Sequence, residues 1–161
     1  MDLKGEYRLP APRQAVWEAL NDPQTLRECI PGCESLEMTE GNHMTAVVVA
    51  KVGPVKAKFT GEVRLEDIVA PESYSIVGEG KGGIAGFAKG GAKVHLAEDG
   101  TDTILTYTVE AQVGGKIAQL GGRLIDSTAK KLSGQFFDCF AAKVSGGQAT
   151  AEGSAETASG S

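Results

Sequence analysis

Three cysteines and two histidines are the residues of this chain best suited to ligate a metal ion or to act as nucleophile and base. Cys29 and Cys33 have a spacing that a metal or redox pair could use, but Pro31-Gly32 lies between them and His43 would add only a third ligand. No serine or cysteine has an obvious base with an orienting acid, and the two histidines, at 43 and 95, are far apart in the strand order. The sequence therefore predicts no metal site and no catalytic residue, and the thiols are interpreted as structural or incidental.

A glycine-rich segment is the second pattern with chemical potential. Residues Gly78 to Gly83 satisfy the dinucleotide fingerprint G-x-G-x-x-G, but that site needs a helix to follow, and here a strand pattern follows. Seven glycines lie between Gly78 and Gly91. They permit sharp strand bending and close backbone approach, and they leave either a hollow on the concave side of a sheet or a merely tight hairpin. Both interpretations stay open.

Hydrophobic periodicity predicts the elements that would position these residues. A first strand at 3–9 ends at Pro10 and Pro12, and two short helices follow, one at 13–20 and one that reaches Cys29. Six further strands are separated by turn-like residues: 34–38, 43–52, 55–68, 73–80, 87–96 and 102–113. Because apolar and polar residues alternate along these strands, one face of the sheet is expected to be exposed to solvent. The predicted fold class is α+β, with a seven-stranded curved antiparallel sheet in the order β-αα-β6-α.

A long apolar stripe at helical spacing closes the pattern, from Gly115 to about Val144. At about 1.5 Å per residue this helix would extend about 43 Å, more than simple coverage of the sheet requires. It is the only element large enough to cover the concave face, so the sheet is expected to wrap around it. Gly121 and Gly122 fall in the helix interior, where each costs about 1 kcal/mol relative to alanine. A cavity, a kink or close packing would compensate for that cost.

The space between helix and sheet is the candidate site for an apolar ligand. The expected lining residues follow from the helical wheel and from strand parity: Leu120, Gly121, Leu124 and Thr128 on the helix, and Phe59, Phe87 and Tyr107 on the sheet. Tyr107 and Thr128 are the expected hydrogen-bonding partners for a ring carbonyl.

Ile30, Pro31 and Phe137 are candidates for contact with a partner protein or a membrane surface. Phe137 falls among polar residues on the helical wheel. Its ring is either buried under the first strand or the short helices, or exposed to such a partner.

Bulk composition limits the classes of partner and the location. The net charge is −5 for 161 residues, and no basic face dominates, so nucleic acid is not expected. The odd cysteine count, without a paired framework, and the absence of a signal-peptide core favour the reducing cytoplasm. The longest aliphatic run, 46–50, is far below the roughly 20 residues that span a bilayer, so any membrane contact would be peripheral. Residues 145–161 contain no large apolar side chain and are predicted to be a disordered tail after a domain at 1–144.

Three separated segments resemble the CoxG family of carbon monoxide dehydrogenase subunits. They are the run CIPGCESL that begins at Cys29, the segment GFAKG that begins at Gly86, and the helical stretch IAQLGGRLID from Ile117 with QFF from Gln135. They occur in the right order, and the resemblance covers residues 1 to about 144. It implies the helix-grip fold of the START-like (SRPBCC) superfamily, in agreement with the element order.

The resemblance also implies a function. Such proteins are accessory proteins encoded with molybdenum hydroxylases of the carbon monoxide dehydrogenase type. They are associated with tethering these enzymes to the membrane and, through an apolar cavity, with binding the quinone that accepts their electrons. We therefore expect a non-enzymatic binder of an isoprenoid quinone or similar lipid, with no other cofactor, located in the cytoplasm and at the inner face of the cell membrane. Some members carry a hydrophobic C-terminal anchor, whereas this sequence ends in polar residues, which favours carriage or transient docking.

Two other functions stay open. An enzyme of the cyclase or hydratase kind, found elsewhere in the superfamily, would need acid and base groups inside the cavity, whereas the inward positions are nearly all apolar. A pure assembly or recruitment factor would bind its partner enzyme through its surface and would have a filled core.

Overall fold

The computed structural model describes residues 1–145, so the predicted tail, apart from Ser145, lies outside the described residues. The strands within this range are β1 (Asp2–Leu9), β2 (Cys33–Met38), β3 (His43–Val52), β4 (Val55–Val69), β5 (Ser73–Lys81), β6 (Phe87–Asp99) and β7 (Asp102–Gly114). The helices are α1 (Arg13–Leu20), α2 (Pro23–Cys29) and α3 (Gly122–Val144). Two short 3₁₀ segments complete the described chain: the β5–β6 turn (Gly83–Ala85) and the β7–α3 turn (Lys116–Leu120).

The predicted element order is confirmed. All neighbouring strands pair antiparallel in one sheet of order β1-β7-β6-β5-β4-β3-β2. Strands β2 to β7 form a meander in which each strand pairs with the next, and β1 closes the sheet beside β7. Since consecutive strands joined by short turns pair most readily, the order of the strands along the chain determines most of this topology.

The C-terminal helix begins later than predicted. The chain from Gly115 forms the β7–α3 turn first, and α3 starts only at Gly122, so the helix has 23 residues and a length of about 35 Å. Gly115 and Gly121 flank the turn with φ of 81° and 97°, a left-handed conformation that other residues rarely adopt. Gly121 therefore precedes the helix rather than deepening a cavity from within it, and neither Gly121 nor Gly122 carries a mid-helix cost. Within residues 1–145, no helix has the length and apolarity required to span a bilayer.

The tightly packed core lies at one end of the sheet, under the C-terminal half of α3. Phe140 of α3 is fully buried, as are Val16 of α1 and Leu96 of β6. Trp17 meets Tyr74 edge to face with ring centroids 5.4 Å apart. The Tyr74 side chain is buried, and this burial raises its pKa. The C-terminal half of α3 is thus fixed by side-chain packing.

Thr103 ties the start of β7 to the loop before α1. Its fully buried hydroxyl donates a hydrogen bond of 2.8 Å to the carbonyl oxygen of Ala11. Replacing Thr103 by valine keeps the shape but leaves that carbonyl without its partner, so we expect a loss of about 1–2 kcal/mol in the free energy of unfolding. Urea denaturation measures this loss. Thr106→Val, on the outer face of the same strand, is the control and should change stability by less than about 0.5 kcal/mol.

A disulfide joins Cys29, the last residue of α2, to Cys139 of α3, with Cα atoms 5.3 Å apart. The interpretation of these cysteines as unpaired is therefore wrong, and only Cys33 is a free thiol within residues 1–145. Spacing along the chain could not show the pair, because 110 residues separate its members. Lys143 also donates a hydrogen bond to the Glu28 carboxylate, which holds the pKa of Glu28 below its usual value. Together these contacts clamp α2 to the C-terminal half of α3.

Candidate functional site

Side chains on the sheet face that carries the core decrease in size from one end of the sheet to the other. At the core end, the cross-strand neighbours Leu96 and Leu105 are fully buried. Toward the opposite end, one row across four strands consists of Ala46, Gly61, Gly80 and Ala88. All four residues of this small-residue row are partly exposed. The small-residue row therefore lacks the large side chains that fill the core end.

The middle of the small-residue row is open. A Cβ atom added at Gly80 would meet nothing within 4 Å, and one added at Gly61 would meet only two backbone carbonyl oxygens, at 3.8 and 3.9 Å. No side chain of residues 1–145 therefore lies directly over these two glycines. Among the glycines of β5, this geometry fits the hollow at Gly80 alone. At Gly78 an added Cβ would lie 2.5 Å from the Val63 side chain, and most other glycines between Gly78 and Gly91 are equally crowded, so they fit close packing.

Three of the predicted lining residues lie near this end of the sheet. Phe59 faces the same side as Gly61, and its ring lies against Gly82, where an added Cβ would be 2.5 Å from the ring. An added Cβ at Gly53, in the turn between β3 and β4, would lie 2.7 Å from Leu124 and 4.0 Å from Leu120. The two leucines are thus held beneath the β3–β4 turn, at the start of α3.

Tyr107 lies near the other end of the same face. It pairs with Val94 of β6, six residues along that strand from Ala88, which corresponds to about 20 Å. Its ring stacks on Phe137 at 5.5 Å and lies over Gly5. The structure therefore divides the predicted residues into an apolar group near the small-residue row and a phenol at the edge of the core.

Two hydroxyl groups among the predicted residues form no hydrogen bond within the described chain. Within residues 1–145, neither the Tyr107 hydroxyl nor the Thr128 hydroxyl has a hydrogen-bond partner, and both residues are partly exposed. Thr128 lies one helical turn beyond Leu124. Burial, and then the nearby Tyr107 and Asp138, raise the pKa of the neighbouring Tyr7 above its usual value.

Phe87 does not line the site, so its assignment there is wrong. In the register, it lies opposite Lys81 and Gly114, on the face that also carries Lys89, and its side chain is 36% exposed. Its ring lies against Gly114, where an added Cβ would be 2.3 Å away. The β5–β6 turn ends in Gly86 at a φ of 121°, and Phe87 then enters β6 on the outer face.

Phe137 packs beneath the first strand. Its ring stacks on Tyr7 at 4.2 Å and meets Phe136 and Phe140 edge to face, which is the buried alternative of the two expected for it. Ile30 and Pro31 follow α2 and are partly exposed, so their contact with a partner stays a prediction.

A wide depression of about 1020 Å³ lies on the outer face of the sheet, away from α3. Its rim carries charged side chains such as Glu62, Arg64 and Lys93. Burying an apolar ligand there would desolvate these groups, so this depression suits a polar contact better than a lipid. Within residues 1–145, no cluster of three or more His, Cys, Asp or Glu side chains could hold a metal ion.

The small-residue row itself is not among the predicted site residues. Strand parity predicts an inward position for Gly61, whereas Gly80 is predicted only to be part of a glycine-rich run. The sequence signal is nevertheless present, since Gly80 alternates with Glu79 and Lys81 along β5. Glycines offer no side chain that would mark them as lining residues, and the predicted lining set consists mostly of large apolar residues.

Known proteins share the sequence pattern and the fold. The sequence model of the carbon monoxide dehydrogenase G-subunit family (CoxG) matches residues 5–145. Among proteins of curated function, none matches the sequence significantly.

Several solved structures share the fold. A conserved protein from Geobacillus kaustophilus is 32% identical, with a TM-score of 0.85 over 90% of this chain and 95% of its own. A protein from Thermus thermophilus is 18% identical, with a TM-score of 0.69 over 92% and 99% of the two chains. The Zhui aromatase/cyclase from a Streptomyces species is 12% identical, with a TM-score of 0.64 over 90% and 93%. The predicted helix-grip, START-like fold is confirmed, and the chain belongs to the CoxG family of carbon monoxide dehydrogenase subunits.

Proposed function

We propose that this protein is a non-enzymatic accessory protein that binds an isoprenoid quinone between α3 and the small-residue row. The observation that carries the proposal is the open space over Gly61 and Gly80, beneath a helix whose facing residues Leu124 and Thr128 are partly exposed. A core of this size normally packs as densely as an organic crystal, so partly exposed apolar residues on both facing elements suit an occupant.

The dimensions fit a ring with an apolar tail. The small-residue row and Tyr107 lie about 20 Å apart on the same face of the sheet, so a ligand that contacts both must be elongated. Burial of about 300 Å² of apolar ligand surface would contribute about 7 kcal/mol before the entropic cost of association. The hydroxyls of Tyr107 and Thr128 can each donate a hydrogen bond to a ring carbonyl. They are alternative partners, because Tyr107 stacks on Phe137 and Thr128 lies nine residues earlier in α3, about 13 Å along the helix.

The chemistry of the inward positions favours binding over catalysis. Acid–base catalysis requires titratable groups within hydrogen-bond reach of the substrate. From Leu65 in β4 and Ile76 in β5 to the small-residue row, the inward residues of both strands are aliphatic, aromatic or glycine. A ligand held there meets no proton donor or acceptor from these two strands.

We infer that the protein partner is a molybdenum hydroxylase of the carbon monoxide dehydrogenase type. The family name carries this inference, since it describes a subunit associated with carbon monoxide dehydrogenase. A bound quinone would accept two electrons from the hydroxylase with two protons from water and leave as the quinol. A carrier with this role works at the inner face of the cell membrane, where quinones are dissolved.

Solvent extraction of the purified full chain followed by mass spectrometry tests the proposal. We expect an isoprenoid quinone at close to one equivalent, and we expect the stripped protein to bind a short-chain quinone reversibly in detergent-free solution. An extract without quinone, together with no uptake by the stripped protein, would leave only the recruitment role. Chemical conversion of a trapped compound during incubation would instead identify an enzyme.

A further inference from the structure

The end of the fold nearest the small-residue row is formed by four connected pieces. They are the β3–β4 turn, the β5–β6 turn, the β7–α3 turn and the first turn of α3, and we call them the open end. The β5–β6 and β7–α3 turns meet backbone to backbone, since an added Cβ at Gly115 would lie 2.4 Å from the Cα of Gly86. The β3–β4 turn meets α3 at Leu124. The open end is therefore one continuous surface.

Charge is distributed unevenly between the open end and the rest of the chain. Three segments, 41–61, 80–97 and 111–125, contain eight lysine or arginine residues and no aspartate or glutamate. Each segment contains one of the turns of the open end. Because the whole chain carries a net charge of −5, the remaining residues are strongly acidic.

Five exposed cations surround these turns: Lys51, Lys56, Lys81, Lys116 and Arg123. Within residues 1–145, none of the five has an acidic partner within ion-pair distance. Lys58, on the β3–β4 hairpin, forms an ion pair with Glu34 at 3.2 Å and is therefore not one of the five. Asp126 lies one helical turn after Arg123. Unpaired cations of this kind are available to an anionic surface.

An apolar side chain projects from the centre of this basic surface. Ile84, in the β5–β6 turn, is 91% exposed, far more than the other large apolar residues of the described chain. A single exposed apolar residue is common on protein surfaces, so the informative feature of Ile84 is its position among unpaired cations. A basic rim around an exposed aliphatic tip matches the two layers of a membrane interface, anionic headgroups above acyl chains.

We propose that the open end docks on an anionic phospholipid surface, with Ile84 inserted and the surrounding cations on the headgroups. This inference rests on the proposed function, because it places the helix start and the small-residue row next to the phase that holds the quinone. The docking contact then lies at the open end and not at Ile30, Pro31 or Phe137.

The acidic remainder of the protein does not prevent this docking. At physiological ionic strength, charges more than about 8 Å from the surface are largely screened. The nearest acids on the central strands, Glu62 and Glu79, lie two residues back from the end of the sheet, about 7 Å along the strands. At this distance Glu62 and Glu79 are only partly screened and oppose the attraction, whereas acids farther along the strands are largely screened. The cations of the open end are therefore the nearest charges to the surface and favour this orientation of the protein.

Cosedimentation of the full chain with vesicles tests the proposal. We expect binding to vesicles of 70% phosphatidylcholine and 30% phosphatidylglycerol, little binding to pure phosphatidylcholine, and release by 0.5 M NaCl. Each cation removed should weaken binding about fivefold, so the triple variant Lys51→Gln, Lys56→Gln, Lys81→Gln should lose about a hundredfold. The matched control is Lys4→Gln, Lys130→Gln, Lys131→Gln, which removes the same charge outside the three basic segments and should bind as the wild type does, within about threefold.

The apolar tip has its own pair of variants. Ile84→Ser should weaken vesicle binding about tenfold, whereas Ile68→Ser, an exposed residue near the far end of β4, should not. Equal losses for the open-end and control variants, or equal binding to neutral and anionic vesicles, would overturn the proposal. A third pair of results would also overturn the proposal: the wild-type protein does not bind vesicles, and the open-end variants no longer capture the hydroxylase. The open end would then be a protein interface.

Quinone uptake measured without vesicles separates this proposal from the proposed function. A protein that takes up a short-chain quinone but does not sediment with anionic vesicles contradicts the docking proposal alone. A protein that sediments but takes up no quinone contradicts the proposed function alone.

Discussion

Replacement of Gly80 by leucine is expected to abolish quinone uptake while leaving the protein at least as stable as the wild type. A side chain at this position would project into the space over the small-residue row, where an added Cβ meets no atom within 4 Å. Glycine in a strand interior costs roughly 0.5–1 kcal/mol, so the folded state should gain about that amount. The ligand must then share the hollow with four extra carbon atoms, and we expect its dissociation constant to rise at least about tenfold.

The combination of greater stability and weaker binding is the useful signature. A substitution that disturbs the fold lowers both, whereas one that fills a cavity lowers only binding. Thermal unfolding and quinone titration of the same preparations measure the two quantities. Gly61→Leu, from the neighbouring strand, should behave in the same way if both glycines border one hollow.

Gly134→Leu is the matched control for these variants. Gly134 lies in α3, where an added Cβ also meets nothing within 4 Å, but its place on the helical wheel is near Lys130, away from the sheet. This substitution should raise stability by about 1 kcal/mol through helix propensity and leave quinone affinity unchanged. If Gly80→Leu binds quinone as tightly as Gly134→Leu does, the ligand does not lie over the small-residue row.

Strand alternation explains why the fold is predictable. Along β4, apolar residues from Val55 to Leu65 alternate with lysine, threonine, glutamate and arginine, so both the strand and its buried face follow from a period of two. Short turns then make antiparallel neighbours of consecutive strands. The position of β1 beside β7 is not available from such local signals, because that pairing joins residues about 100 positions apart.

The site is less predictable, for reasons that differ from residue to residue. The inward assignment of Phe87 overlooks Lys89, Lys93 and His95, which share its parity within β6, so in this case the sequence holds the correct answer. Gly121 is predicted inside a helix because its neighbours continue the apolar period, and periodicity does not report a positive φ. The opening over Gly80 depends on the whole path of α3, which no local pattern contains.

Breaking the disulfide between Cys29 and Cys139 is expected to cost about 3–5 kcal/mol in the free energy of unfolding and to lower the melting temperature by roughly 10 °C. The bond links residues 110 positions apart, and closing so long a loop removes much conformational entropy from the unfolded chain. Wild-type protein with and without reductant, and the double variant Cys29→Ala, Cys139→Ala, should agree. Cys33→Ala, which removes the free thiol, is the control and should leave the effect of reductant intact.

The same clamp separates stability from function. Cys29 and Cys139 hold α2 against the C-terminal half of α3, while the proposed ligand contacts begin at its N-terminal half. Quinone affinity below the melting temperature should therefore change less than about twofold in the double alanine variant, which needs no reductant that would also reduce the quinone. Identical melting curves with and without reductant would show that the two sulfur atoms are not bonded in solution.

Thiols of cytoplasmic proteins are normally kept reduced, so the bond also bears on location. Rapid alkylation in intact cells measures its oxidised fraction: a mostly oxidised pair contradicts the predicted cytoplasmic location, and a mostly reduced pair means that the protein works there without this part of its stability.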